Sequence, residues 1–251
     1  MARDTVTAAL ILIGDEILSG RTKDLNMGYI AETLTGLAIE LREVRVVADI
    51  EDEIVDALNA LRARYDYVFT TGGIGPTHDD ITADAVAKAF GVGIDHHPDA
   101  LAMLRERYKV GEINDARMRM ARVPDGGELI PNDISWAPGF KVDNVYVMAG
   151  VPKIMQSMME TVAPMLERGK PMLSETVPAF VGEGDLAEGL GLVQDRFDDV
   201  SIGSYPFEDK GRYGANIVVR SKDGARLAEA KTAVEAVVEE AAGRKATKAW
   251  S

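Results

Sequence analysis

Along the first ninety residues the apolar positions switch period in a regular way, and each switch marks an element. Residues 8–13 are continuously apolar and stop at Gly14-Asp15, which predicts a strand buried on both faces. Over residues 26–37, Met27, Ile30, Ala31, Leu34 and Leu37 recur at helical spacing. Residues 40–48 are valine-rich and alternate, predicting a second strand. Residues 51–63 put Ile54, Val55, Leu58 and Leu61 on one helical face. A short buried strand at 67–70 and a helix at 83–90 complete the series. Strand and helix alternating this closely predict an α/β fold, a three-layer αβα sandwich on a mostly parallel sheet. Ligands of such sheets bind beyond the carboxyl ends of the strands. The Gly14 turn, Asp49 and the loop at 70–76 each follow a strand, so all three are expected on one edge.

The middle of the chain is less regular. Residues 98–108 and 115–121 read as helices, with Arg105, Arg107, Arg117, Arg119 and Arg122 interspersed. Short strands are expected at 128–131, 140–142 and 145–148, the last two joined by a turn at Asp143-Asn144. Residues 153–167 form an amphipathic pattern whose methionines read as core filling. Beyond Gly169-Lys170-Pro171 the order becomes strand (175–181), helix (186–197), strand (200–205), strand (215–220), helix (225–242). That βαββα order predicts a small α+β domain. The expected division is 1–170, 171–245 and a tail at 246–251, with fraying from Gly243 onward.

Composition narrows the function. The net charge of -13 argues against a nucleic-acid partner, and an anionic ligand would need local donors. The absence of cysteine removes thiolate metal sites and cysteine nucleophiles. The apolar run at 8–13 is too short for a signal core or a membrane span, so no membrane partner is expected and a cytoplasmic location is the default.

The most informative stretch is Thr70-Thr71-Gly72-Gly73-Ile74-Gly75-Pro76-Thr77-His78-Asp79-Asp80-Ile81-Thr82, which leaves a strand, passes three glycines and enters a helix. Glycines let backbone amides approach and face an anion, and a helix amino terminus adds further donors. The alternative is a capped tight turn with Asp80 or Thr82 as N-cap. The spacing is neither a Walker loop nor a dinucleotide fingerprint. Asp79-Asp80 beside such amides suggests a divalent cation such as Mg²⁺, although helix capping would also account for one of the pair. Asp15, Glu16 and Asp49 share the expected edge and could join Asp80 in metal binding or act as general base. Among the histidines, His96-His97 reads as surface loop, while His78 lies inside the glycine loop.

The loop at 71–82 resembles the signature of the molybdopterin-binding domain family of molybdenum cofactor biosynthesis. Gly14-Asp15-Glu16-Ile17-Leu18-Ser19-Gly20 is similar to its first turn, Asn26 to its helix-opening asparagine, and Asp49 to its acidic residue after the second strand. Ala137-Pro138-Gly139-Phe140 and Gly150-Val151-Pro152 resemble its later pocket motifs, and residues 201–206 extend the likeness. Within the family the GDEIL and GGIGPTHDD segments look nearest to the amino-terminal domain of CinA proteins and the matching domain of eukaryotic FAD synthases. The resemblance implies metal-dependent pyrophosphatase activity on ADP-ribose or FAD; in more distant members, adenylyl transfer to molybdopterin. It implies ligand contacts at Gly14, Asp15, Ser19, Asn26, Thr71, Gly72, Gly73, Gly75, Pro76, Thr77, Pro138, Gly139, Gly150 and Pro152. The catalytic set is Asp80, Asp49 and Glu16, with Asp80 and Asp49 on the cation. The ligand it implies is a small-molecule nucleotide or pterin, with molybdopterin one candidate, and the expected state is a homo-oligomer, dimer or trimer. Neither a nicotinamide-nucleotide deamidase nor a nucleotidyltransferase domain is expected to follow. Ala149 stands where the family often has proline, which is expected to loosen that loop.

Overall fold

The computed structural model describes residues 3–109, 112–209 and 211–248. Contacts divide the chain into two compact units, Met1–Gly169 and Lys170–Ser251. In the first unit, β1 (Val6–Ile13) leads through a short α1 (Asp15–Leu18) to α2 (Asn26–Gly36), β2 (Ile39–Val47), α3 (Glu51–Arg62), β3 (Tyr67–Thr71) and α4 (Thr82–Phe90). Then come β4 (Ile94–His96), α5 (Pro98–Arg107), α6 (Asp115–Arg119), β5 (Arg122–Pro124), β6 (Glu128–Ile130), β7 (Gly139–Val142), β8 (Val145–Met148) and α7 (Pro152–Val162). The main sheet runs β2-β1-β3-β8-β7-β6. β2, β1, β3 and β8 are mutually parallel, and β7 is antiparallel to both its neighbours. The carboxyl ends of the four parallel strands therefore lie on one edge.

Why the sheet is sandwiched follows from the sequence of β1. Every second residue faces the opposite way, so its unbroken apolar run must be covered twice. Leu10 and Leu12 pack with Ile30 and Leu34 of α2 and Met155, Met158 and Met159 of α7. Ala9, Ile11 and Ile13 pack with Ile54, Leu58 and Leu61 of α3 and Ala85 and Val86 of α4. Met155, Met158 and Met159 are core, as their spacing suggests, whereas Met165 is exposed. Pro164 ends α7 sooner than expected: the α-helix stops at Val162 and one 3-10 turn, Ala163–Met165, follows, because proline brings no N–H to an α-helical bond.

The second unit is β9 (Leu173–Ala179), α8 (Glu183–Arg196), β10 (Ser201–Asp209), β11 (Arg212–Ser221) and α9 (Gly224–Lys248). Its sheet, β10-β11-β9, is antiparallel throughout, with Val177, Ile217 and Val219 packed together with Leu186, Val193 and Val234 of the helices. The tail expected from Gly243 differs: α9 continues through Lys248. One glycine costs a helix only about 1 kcal/mol, and the alanines, arginine and lysines around Gly243 are good helix formers. Positions 249–251 lie outside the described residues.

Candidate functional site

At the end of β1 the Gly14 amide donates to Val47 O of β2 (3.1 Å), which ties the first turn to the neighbouring strand. The Asp15 amide, opening α1, donates to Oδ2 of Asp49 at 2.9 Å. Glu16 folds its carboxylate back over Gly14, where a β-carbon would lie 2.7 Å from Oε2. Ser19, exposed at the far end of α1, donates to the Glu16 carbonyl at 3.3 Å. Asp49 is half-buried, and burial pushes its carboxyl above the usual carboxylate range. The charges of Glu16, Asp15 and Asp79 push the same way, against the Asp15 amide. The acids expected on this edge therefore do converge. Of the Asp79-Asp80 pair, it is Asp79 whose charge reaches Asp49.

β3 ends in buried Thr71, and the chain turns at Gly72 (φ 104) and Gly73 (φ 68), both left-handed. A β-carbon on Gly72 would strike the Ile13 carbonyl, and one on Gly73 the Thr82 hydroxyl. The turn is stitched to α4: Thr82 N donates to Gly73 O (3.0 Å) and Thr82 Oγ1 to Gly72 O (2.9 Å). Neither Asp80 nor Thr82 serves as the expected N-cap. Ile81 holds that position with no side-chain bond, because both neighbours are spent on the loop. Oδ2 of Asp80 accepts from the Thr77 amide (2.7 Å) and hydroxyl (2.5 Å), closing the exposed Pro76-Thr77 turn. Both bonds end on Oδ2, so Oδ1 remains open to a further partner. Among the described residues, the amides of Gly73, Ile74 and Gly75 bond to no acceptor.

On the other side of the loop, α2 carries Asn26. Asp24 accepts from the Asn26 and Met27 amides (3.1 and 2.9 Å) and so caps the helix from outside it. Asn26 is 5 % exposed, and its Nδ2 donates to Gly150 O at 2.8 Å. That bond fixes the amide and leaves Oδ1 buried with no partner. A shallow hollow adjoins it, with Glu16, Lys23, Asn26, Thr71, Gly150 and Pro152 in its lining. Gly150 packs on Gly72, where a β-carbon would come 3.2 Å from Gly72 Cα. Ala149 is buried, and its amide donates to Met158 Sδ at 3.4 Å, a bond proline could not make. The loosening expected from Ala149 is thus offset by two anchors, Met158 and Asn26.

Pro138 and Gly139 are both buried where β7 begins, beside the end of β8, and Gly139 lies against the Val147 carbonyl. The preceding loop is organised by Asn132, which is 4 % exposed. Its Nδ2 donates to Ala137 O (2.7 Å) and its Oδ1 accepts from the amides of Ile134 and Ser135. Sequence reading passed over both Asp24 and Asn132. A signal existed for each, since Asp and Asn bond amides two or three residues ahead at turns. Among the described residues no three His, Asp or Glu side chains form a ready metal cage, and no helix is long and apolar enough to cross a membrane.

Residues 9–168 match the family described as "Probable molybdopterin binding domain", and residues 171–245 match the middle domain of FAD synthase. A protein of Pyrobaculum calidifontis is 36% identical over 211 residues, covering 80% of each chain. One from Pyrococcus horikoshii is 33% identical over 233 residues, covering 87% of this chain and 91% of its own. Among solved structures, CinA from Thermoplasma acidophilum, a protein of unknown function, has a TM-score of 0.61 at 34% identity. It covers 64% of this chain and 98% of that one. The loop, the converging acids and these matches agree: the chain belongs to the molybdopterin-binding domain family over residues 9–168, where it is similar to CinA, and residues 171–245 add a segment that matches the FAD synthase middle domain.

Proposed function

We propose that this site hydrolyses the diphosphate bond of a nucleotide of the ADP-ribose or FAD type. The observation that carries the reading is the run of three unbonded amides, Gly73, Ile74 and Gly75, in the loop after β3 whose Asp79 joins the acids gathered at Asp49. Amides fixed by Gly72, Gly73 and the Thr82 stitch are preorganised donors for phosphate oxygens, and they need no rearrangement as charge builds there. Acids beside an anion site would only repel the ligand unless they do chemistry.

The donor set fits a divalent cation. Mg²⁺ takes hard oxygens and needs one or two carboxylates besides phosphate and water. Asp49, whose charged form is disfavoured by its neighbours, would hold it with Asp79, the loop carboxylate whose charge reaches it, and the open Oδ1 of Asp80 is the loop's further candidate ligand. Such an ion supplies charge neutralisation on the phosphates and makes bound water more acidic. Water attacks one phosphorus, the bridging P–O bond breaks, and two phosphate monoesters leave. With Asp49 on the ion, Glu16, on the same edge, is left to orient that water and take its proton. Thr77 and Pro76 hold the outer wall of the loop.

A second reading draws on the buried, unpartnered Oδ1 of Asn26. That acceptor beside the hollow suits an N–H of a ring, as in a pterin phosphate such as molybdopterin, retained without turnover or adenylylated. Incubation of purified protein with ADP-ribose, FAD, NAD and ATP, each with several divalent ions, separates the readings. AMP released from ADP-ribose or FAD only with a divalent ion is expected. Tight binding with no product supports the second reading instead.

A further inference from the structure

A second, shallow hollow at the glycine loop shares no lining residue with the Asn26 hollow and includes Gly73, Gly75, Asp80, Asp84, Arg119 and Arg122 in its lining. It shares both arginines with a broader groove bordered by Pro76, His78, His96 and Met118. The two arginines differ sharply in what they do. Arg122 makes a two-pronged pair with Asp84 at 2.9 and 2.6 Å, so its charge is matched. Arg119, at the end of α6, reaches no carboxylate within ion-pair distance among the described residues. Its one hydrogen bond there is a long one from Nη2 to the Asp80 carbonyl, 3.3 Å, and its Nε is buried with no partner. Buried donors left unbonded are costly, and the guanidinium fork matches two phosphate oxygens.

We infer that Arg119 is the phosphate-binding side chain of this loop, closing on a phosphoryl group at the hollow it lines together with Gly73, Ile74 and Gly75. The inference rests on the nucleotide reading above. It adds a residue from a separate helix, and it adds a direction: the groove beyond Arg119 leaves room for the organic part of a phosphate ester. The Asp80 carboxylate shares the hollow and opposes a bare anion, so phosphate is held more tightly with a divalent ion present than without.

The test is calorimetric titration with inorganic pyrophosphate and, separately, with α,β-methylene-ADP, whose diphosphate link cannot be cleaved, each with and without Mg²⁺. Wild type is compared with Arg119→Gln, Arg119→Lys and Arg117→Gln; the last removes the same charge from α6 at a residue that stacks on Tyr108 instead. Arg119→Gln is expected to weaken both probes at least tenfold in Mg²⁺, Arg119→Lys severalfold because lysine has no fork, and Arg117→Gln not at all. Unchanged affinity in Arg119→Gln overturns the inference and leaves the loop reading standing. Pyrophosphate bound through Arg119 with the nucleotide analogue refused keeps the inference and overturns the nucleotide reading. If Arg119→Gln loses its cooperative melt, Arg119→Lys carries the test, and unchanged affinity there overturns the inference. Wild type that binds neither probe sinks both.

Discussion

Replacing Asp80 by asparagine and by alanine separates two jobs that the structure gives one carboxylate. Oδ2 closes the loop on the Thr77 amide and hydroxyl, and Oδ1 is the oxygen open to the cation. Alanine removes both loop bonds. Hydrogen bonds to a charged group are worth about 1.5–3 kcal/mol each when shielded. On this exposed turn water replaces much of that, so the net loss should be about 1–2 kcal/mol. For a domain of this size that lowers Tm by roughly 2–8 °C. Asparagine keeps an oxygen for the Thr77 amide and the same shape, so its Tm should fall by less than about 2 °C. Both variants lose the charge and should lose divalent-dependent turnover together. Thermal melts beside a hydrolysis assay over a Mg²⁺ titration read both quantities. Full Mg²⁺-dependent turnover in Asp80→Asn would refute the cation role and leave Asp80 as a turn-former only. An unchanged Tm in Asp80→Ala would refute the turn.

Asn26→Ala strands the Gly150 carbonyl while removing the unpartnered Oδ1, so a modest loss of about 1–2 kcal/mol is expected by chemical denaturation; a stability equal to wild type contradicts the Asn26–Gly150 tie. Asp24→Ala leaves two amides at the start of α2 without their acceptor and should cost about 1 kcal/mol, with no loss in denaturation midpoint as the contrary result. Asp49 titrates higher folded than unfolded, so between those two values the folded protein holds the extra proton. Metal-free stability should therefore fall as pH rises through that window, and Asp49→Asn should flatten the slope; melts across pH 3–6 (roughly the span of shifted carboxylates) that show the same slope in both proteins would contradict it.

The parallel sheet was legible because β1, β2 and β3 each carry an unbroken or alternating apolar pattern long enough to name the element. The turn between β3 and α4 was legible because glycines between a strand and a helix mark positive-φ backbone, which Gly72 and Gly73 adopt. Contacts made across long stretches of chain were not. Nothing local says that the Asp15 amide will find Asp49, or that Arg119 will lie against Asp80, because both follow from packing of separate elements. The orientation of Asp79 against Asp80 was equally hidden: adjacent residues point different ways, and the Thr77 bonds decide which. The three-residue strands β4 and β5 were missed because their mixed burial carries no period. Gly73 shows a limit of another kind. Its positive φ and its contact with Thr82 are both structural demands, so Gly73→Ala perturbs the fold whether or not phosphate binds.

Backbone amide shifts of the glycine loop test the central claim most directly. In ¹⁵N-resolved spectra of the protein with Mg²⁺, a non-cleavable nucleoside diphosphate should move the amides of Gly73, Ile74 and Gly75 strongly and saturably. Amides of the second unit, such as Val219 in β11, should stay in place. Saturable binding that leaves those three loop amides unmoved would contradict the account, since every other role was assigned around a phosphate held there.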